Sequence, residues 1–321
     1  MLAAFATAPA PADPLTALSV GDRPEPEPAD GWTTVTVKAA SINHHDLFTL
    51  RGVGISADRF PMILGCDAAG VDADGREVVV HSVIGTPDWG GDETLDPGRT
   101  LLSEVHQGTF AERVAVPARN LLPKPAELSF EEAACLGTAW LTAYRMLFVR
   151  SGALPGSRIL VQGASGGVAT ALISLGAATG YRMWATGRTE EKRQAALRLG
   201  AEAVFEPGAR LPRRVDAVME TVGQATWAHS LKALEPGGTV VVSGATTGPN
   251  PPADLSRIFF RQLSVVGATM GTRAELERLM SLLAATGVRP TIDVSLPLER
   301  AADGLAKMAA GDTAGKIVLT A

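Results

Sequence analysis

The run Arg158-Ile-Leu-Val-Gln-Gly-Ala-Ser-Gly-Gly-Val-Ala169 decides how this chain is read. Ile159, Leu160 and Val161 form a short apolar strand signal. Gly163, Gly166 and Gly167 make a turn, and Val168 to Leu175 is apolar and rich in helix formers. A strand, a glycine turn and a helix start are what a dinucleotide pyrophosphate requires. Glycine permits the tight turn and a close approach of backbone to phosphate. The helix N-terminus adds unpaired N–H groups and a partial positive charge. Ala169 stands where a last glycine is commoner, at a position that serves helix–strand packing. Taken alone the run also fits a plain strand–helix turn.

Its surroundings favour the nucleotide. Strand-like runs recur at Met183–Thr186, Ala203–Phe205, Val215–Met219, Thr239–Val242 and Leu263–Val266, most of them separated by helical segments. That alternation predicts a parallel sheet covered on both faces. Thr189–Leu199 reads as a helix with Thr189 as N-cap, Glu190 and Glu191 in its first turn and Gly200 as its stop. About 20 residues past the glycine turn, an NAD site carries an acid for the ribose hydroxyls. This chain has Gly187 and Arg188 there, with Lys192 one turn on. Cations match a 2′-phosphate, so the expected cofactor is NADPH. The alternative is that Arg188 and Lys192 are ordinary solvated surface cations.

Composition narrows the class. With 321 residues, two domains are expected. A net charge of -5 gives no reason to expect nucleic acid or an anionic membrane as partner. Two cysteines, Cys66 and Cys135, make no disulfide framework, and Met1–Ala6 has no basic leader, so a cytoplasmic protein is expected. Ile159–Tyr181 is uncharged, but its glycines and polar residues argue for a buried segment over a membrane span.

The first third reads as β-rich. Trp32–Ala40 alternates, with Val35 and Val37 on one face. Ser41–Phe48 is polar and ends the strand, and Arg51–Gly54 follows as a loop. Phe60–Gly70, Glu77–His81 and Gly108–Pro117 continue the pattern, with an aperiodic Gly85–Arg99 loop between the last two. Helical character begins near Ser129, after Pro123 and Pro125. Domains are therefore expected at 1–125, completed by 288–321, and at 126–287.

Ser41-Ile-Asn-His-His-Asp46, Ile63-Leu-Gly-Cys-Asp-Ala-Ala-Gly70, Gly108-Thr-Phe-Ala-Glu112, Leu141-Thr-Ala-Tyr144, Gly163–Ala169 and Gly315-Lys316 occur in the order of a known family. The chain resembles a medium-chain dehydrogenase/reductase. The resemblance implies a mixed α/β protein: a GroES-like, β-rich catalytic domain and a Rossmann, doubly wound parallel-sheet cofactor domain. Zinc-dependent relatives hold the catalytic metal at positions matching Asn43, Cys66 and Thr138, of which only Cys66 is a good zinc ligand. The loop matching their structural zinc, Trp89–Ser103, has no cysteine. No metal is expected, although His44, Asp46 and Asp67 leave a rearranged site conceivable. Without zinc the resemblance points to the quinone oxidoreductase and enoyl or enone reductase branch. Those enzymes move hydride to a conjugated acceptor whose oxygen is held by hydrogen bonds. Two rivals stay open: a zinc-type alcohol dehydrogenase with substitute ligands, and a non-catalytic NADPH-binding sensor.

The catalytic candidates are Asn43, His44 and Asp46. Asn43 reads either as a donor to the substrate oxygen or as a turn residue. His44 and His45 are proton donors or packing residues, and Asp46 orients a neighbour or caps a helix. Phe48 replaces a tyrosine that many quinone reductases carry. The cofactor candidates at the turn are Gly163, Ser165, Gly166, Gly167 and Val168, followed by Gly187, Arg188 and Lys192. Thr221, Ser243, Gly244, Ala245 and Thr246 stand at strand ends, and the resemblance turns Thr138 and Thr142 to the nicotinamide. Tyr144 lines the cleft or packs on a helix. The expected ligand is a small molecule, and the edge strand near 263–268 resembles the one through which relatives form homodimers.

Overall fold

The glycine run joins a strand, β1 (Arg158–Val161), to a helix, α1 (Gly167–Ala178), in the computed structural model, which describes residues 1–321. Five more strands follow: β2 (Arg182–Thr186), β3 (Ala203–Phe205), β4 (Val215–Glu220), β5 (Leu234–Val242) and β6 (Ser264–Gly267). Their order across the sheet is β3-β2-β1-β4-β5-β6, and every pairing is parallel. The order reverses at β1, so the ends of β1 and β4 flank a crevice where doubly wound sheets bind ligands. Leu160, Val218, Val240 and Trp184 are buried together, as a sheet covered on both faces demands. Helices α2 (Glu190–Arg198), α3 (Gln224–Ala233) and α4 (Leu255–Arg261) complete the layers. Thr189 caps α2 by accepting from the Lys192 N–H.

Two compact units divide the chain: Met1–Leu141 with Met270–Ala321, and Thr142–Thr269. Pro123 ends a strand and Pro125 lies just before a turn, and the contacts of the first unit continue past both to Leu141. Residues 126–141 and 270–287 fall in the first unit, where helix Phe130–Ala134 packs on the strands Trp32–Ser41 and Asp67–Asp72. The main sheet of that unit runs Leu121–Pro123, Glu77–Val80, Asp67–Asp72, Trp32–Ser41, Lys316–Thr320, Ile292–Pro297, with Arg113–Pro117 also paired to Trp32–Ser41. Val35 and Val37 face inward, as their alternation predicts. The final strand lies antiparallel to Trp32–Ser41, with Val318 opposite Ser41. This register carries Lys316 past the strand end, beside Asn43. The stretch after Ser41 is more than a polar strand end: residues 44–51 form a helix, His44–Arg51, closed by Gly52 in the left-handed region. No helix is long and apolar enough to cross a membrane.

Candidate active site

In the second unit Gly163 adopts φ +86°, a conformation that disfavours side chains. Gly166 is the N-cap residue of α1, no side chain caps that helix, and a Cβ on Gly166 would meet nothing within 4 Å. Open space thus lies against an uncapped helix start, which satisfies what a pyrophosphate needs. Ser165, Gly167 and Val168 are half-buried around it. At the end of β2, Gly187 is not an open position: a Cβ there would come within 3.0 Å of the Arg193 side chain. Arg193 donates to Gly187 O at 2.7 Å and to Glu190 at 2.9 Å. Arg188, by contrast, is exposed. Thr221 and the Ser243–Thr246 loop sit at adjacent strand ends, joined where Ser243 N donates to Glu220 O at 3.0 Å. Thr142 is buried, and Tyr144 packs on Phe148 with ring centroids 4.9 Å apart.

In the first unit the residues at the family's motif positions are tied into one polar cluster around Asp67, which is fully buried. Asp67 accepts from Ser41 Oγ at 3.0 Å, Asn43 Nδ2 at 2.8 Å and Thr138 Oγ1 at 2.7 Å. The Lys316 ammonium, 2% exposed, lies 3.7 Å from Asp67 Oδ2. It donates to Asn43 Oδ1 at 2.6 Å and to Ile42 O at 2.8 Å. Asn43 Nδ2 also donates to Ser41 O at 3.2 Å. Both hydrogens of this amide are therefore committed inside the protein, and Asn43 organises the cluster instead of presenting a free donor. Asp46 accepts from the backbone N–H groups of Asn43 (2.7 Å) and Gly65 (3.1 Å), which fixes the helix start to the Gly65–Asp67 corner. Burial pushes the Asp46 carboxyl up to about 6, against the opposing pull of His45, the Asn43 N–H and Lys316.

The two histidines diverge. His44 is exposed by area, yet neighbouring protein strips water from its ring. With Lys316 and Arg51 adding positive charge, the imidazole stays below its ordinary value. His45 bonds Cys66 Sγ through Nδ1 at 3.3 Å and Glu104 Oε1 through Nε2 at 2.8 Å. Burial works against its charge, but the sulfur and the carboxylate reverse the sign and lift it well above the usual value. Burial pushes the Cys66 thiol up, against the opposing pull of His45, and Cys66 Sγ donates to Leu102 O at 3.3 Å. Sequence reading missed Glu104 and the centrality of Asp67 and Lys316. Gly315-Lys316 was visible as a motif, but only the strand register places its ammonium. Phe48 is exposed.

Comparisons with known proteins match two stretches of the chain. An alcohol dehydrogenase GroES-like domain model matches residues 29–126, and a zinc-binding dehydrogenase model matches residues 167–285. A crystal structure of an NAD-dependent alcohol dehydrogenase superposes with a TM-score of 0.93 at 31% identity, covering all of both chains. The chain belongs to the medium-chain dehydrogenase/reductase superfamily. A 2-octenoyl-CoA carboxylase reductase in complex with NADP and 2-octenoyl-CoA matches with a TM-score of 0.91 at 26% identity, over 99% of this chain and 87% of that one. Quinone oxidoreductase from Lama guanicoe is 27% identical over 92% of this chain and 90% of the relative. This member of the superfamily is thus an oxidoreductase, and its glycine turn fits a nicotinamide dinucleotide. A catalytic zinc, which the zinc-binding description implies, does not fit the residues present. No three His, Cys, Asp or Glu side chains gather to hold a metal ion. At the ligand positions Asn43 already contacts a cation, the Lys316 ammonium, and Thr138 turns its proton to Asp67.

Proposed function

We propose that this chain is a zinc-free, NADPH-dependent reductase acting on a conjugated carbon–carbon double bond, of enone or enoyl type, or on a quinone. The observation that carries this reading is Lys316. Its buried ammonium stands among the residues that would otherwise form a metal site, so the chain's own charge fills the place of the cation. A conjugated acceptor suits such a site, because charge arriving at its β-carbon spreads to a distant oxygen that hydrogen bonds can hold. The NADP and 2-octenoyl-CoA in one relative and the quinone named for another support the same substrate classes.

Gly163, Ser165, Gly166, Gly167 and Val168 would hold the pyrophosphate at the start of α1. Arg188 and Lys192 would face the 2′-phosphate, while Thr221 and Ser243–Thr246 would line the crevice. Thr138 and Thr142 are proposed for the nicotinamide. The bound cofactor supplies hydride. His44, kept largely neutral near pH 7, donates a hydrogen bond to the reduced acceptor, and Asp46 fixes the helix that carries it. The open edge of β6, with Val265 exposed, supports a homodimer.

The test is NADPH oxidation against a panel of quinones, enones and enoyl thioesters, alongside metal analysis of the purified protein. Turnover with at least one acceptor is expected, and zinc well below one equivalent. Stoichiometric zinc, or inertness toward the whole panel, overturns the proposal.

A further inference from the structure

A buried polar network in the second unit lies beneath the candidate cofactor loops. Glu220, at the carboxyl end of β4, is completely buried and has no cation among its partners. Its Oε1 accepts from the N–H groups of Val222 (2.8 Å) and Gly223 (3.0 Å) and from Thr226 Oγ1 (2.9 Å). Its Oε2 accepts from Ser230 Oγ at 2.5 Å. Ser230 Oγ accepts from Gln162 Nε2 at 3.0 Å. Gln162 Oε1 accepts from Thr186 Oγ1 at 2.9 Å, and Thr186 Oγ1 accepts from the Gly163 N–H at 3.1 Å.

Every bond in that series points the same way. It begins at the first glycine of the phosphate turn, crosses the ends of β2, β1 and α3, and terminates on one carboxylate. Such chains polarise cooperatively in a dry interior. The other side of Glu220 grips the Thr221–Gly223 turn. There a Cβ on Gly223 would come within 2.6 Å of Gly248 O, and Thr247 N donates to Val222 O at 2.8 Å. One group thereby sets the register of both the glycine turn and the 243–248 loop.

We infer that Glu220 is a positioning residue for the nucleotide: its charge, relayed through Ser230, Gln162 and Thr186, orders the two cofactor loops without touching the cofactor. A carboxylate is required because four donors converge on two oxygens and a carboxylate only accepts. An amide would turn its NH₂ against donors and reverse the series.

This inference rests on the proposed dinucleotide site, so wild-type binding is measured first. Calorimetric titration of NADPH and steady-state kinetics are run on wild type, Glu220→Gln and Ser230→Ala, each with its thermal midpoint. Val215→Ala, at the far end of β4, serves as a control for stability loss alone. The expected result is at least tenfold weaker NADPH binding in E220Q and at least threefold in S230A, as a raised KM for NADPH with kcat within about twofold of wild type. V215A is expected to bind NADPH as wild type does despite a lower midpoint. S230A carries the test if E220Q does not fold. Folded S230A that binds as tightly as wild type overturns the inference, as does affinity that falls in V215A in step with stability. A wild-type protein that binds no nicotinamide dinucleotide overturns instead the reading on which it rests.

Discussion

Replacing Lys316 with methionine tests the cluster that stands in the place of a metal. Methionine comes close to the length and volume of the side chain and deletes the charge and its hydrogen bonds. Three groups lose their partner: Asn43 Oδ1, Ile42 O and, 3.7 Å away, the Asp67 carboxylate. Asp67 is inaccessible to water, so its charge is stranded inside the protein. Breaking a buried pair from one side costs about 3–5 kcal/mol, most of it from the charge left behind. For a unit of this size each kcal/mol lowers the midpoint by roughly 2–4 °C, which puts the expected drop at about 6–20 °C. The double variant Asp67→Asn with Lys316→Met removes both charges; the amide oxygen it introduces can still accept from Ser41 Oγ and Asn43 Nδ2, and its NH₂ can donate to Thr138 Oγ1. It is expected to regain about half or more of the loss. Guanidinium unfolding of wild type, both single variants and the double variant closes the cycle. A loss below ~1 kcal/mol in K316M would sink the reasoning, because the ammonium would then not be balancing Asp67. Additive single effects would sink it too, since they mean no coupling between the two charges.

Three further outcomes are expected. Asp46 titrates at about 6 in the folded protein against 3.8 as its ordinary value. The folded state therefore binds the proton more tightly. The contribution is fully present below about pH 4 and fades as pH rises through 6, a loss of ~3 kcal/mol. Denaturant unfolding of wild type and Asp46→Asn between about pH 4 and 7.5 reads this as a slope that the variant lacks, and equal slopes refute it. Arg188→Ala should weaken NADPH at least tenfold and leave NADH within about twofold, through loss of a charge-assisted contact of about 1.5–3 kcal/mol. Competitive titration decides, and equal affinities in the wild-type protein contradict the cofactor assignment. Gly163→Ala places a Cβ on a residue at φ +86°, so about 1–2 kcal/mol of stability should be lost, with weakened nucleotide binding, by thermal scan and titration.

The fold was legible where a local pattern and its packing agree. The apolar runs after the glycine turn became β2 to β6 because short apolar runs between helices suit a parallel sheet, whose central strands β1, β2 and β4 are buried on both faces. Thr189 and the Val35/Val37 alternation behaved for the same reason: cap and pleat are set by neighbours in sequence. What stayed hidden depends on partners far along the chain. Ser41–Phe48 looked like a polar strand end, and the helix His44–Arg51 within and beyond it stayed hidden, because its cap, Asn43, is held by Lys316 and Asp67 and its first turn by Gly65. Nothing nearby in sequence announces those contacts. The Glu220 series escaped notice likewise, since it joins residues 163, 186, 162, 230 and 220 across three strands. The contacts divide after Leu141, beyond Pro125, because prolines report where a chain changes direction, not where its contacts divide.

Each unit stabilises its site with the same physical device: one inaccessible carboxylate at a strand terminus on which neutral donors converge. Around Asp67 the donors are three side chains and the balance is an ammonium. Around Glu220 they include two backbone N–H groups and there is no cation. Substitutions therefore act differently on the two. The Asp67 cluster is held by a charge pair, so its loss appears mainly as instability that a second substitution repairs. The Glu220 network is held by directed hydrogen bonds alone, so its loss appears as misplaced loops, with affinity falling further than stability. Opposite signatures in the two sets of variants are what the proposed roles, a charge-balanced reaction chamber and a hydrogen-bonded cofactor cradle, require. Identical signatures would mean that both carboxylates are only structural.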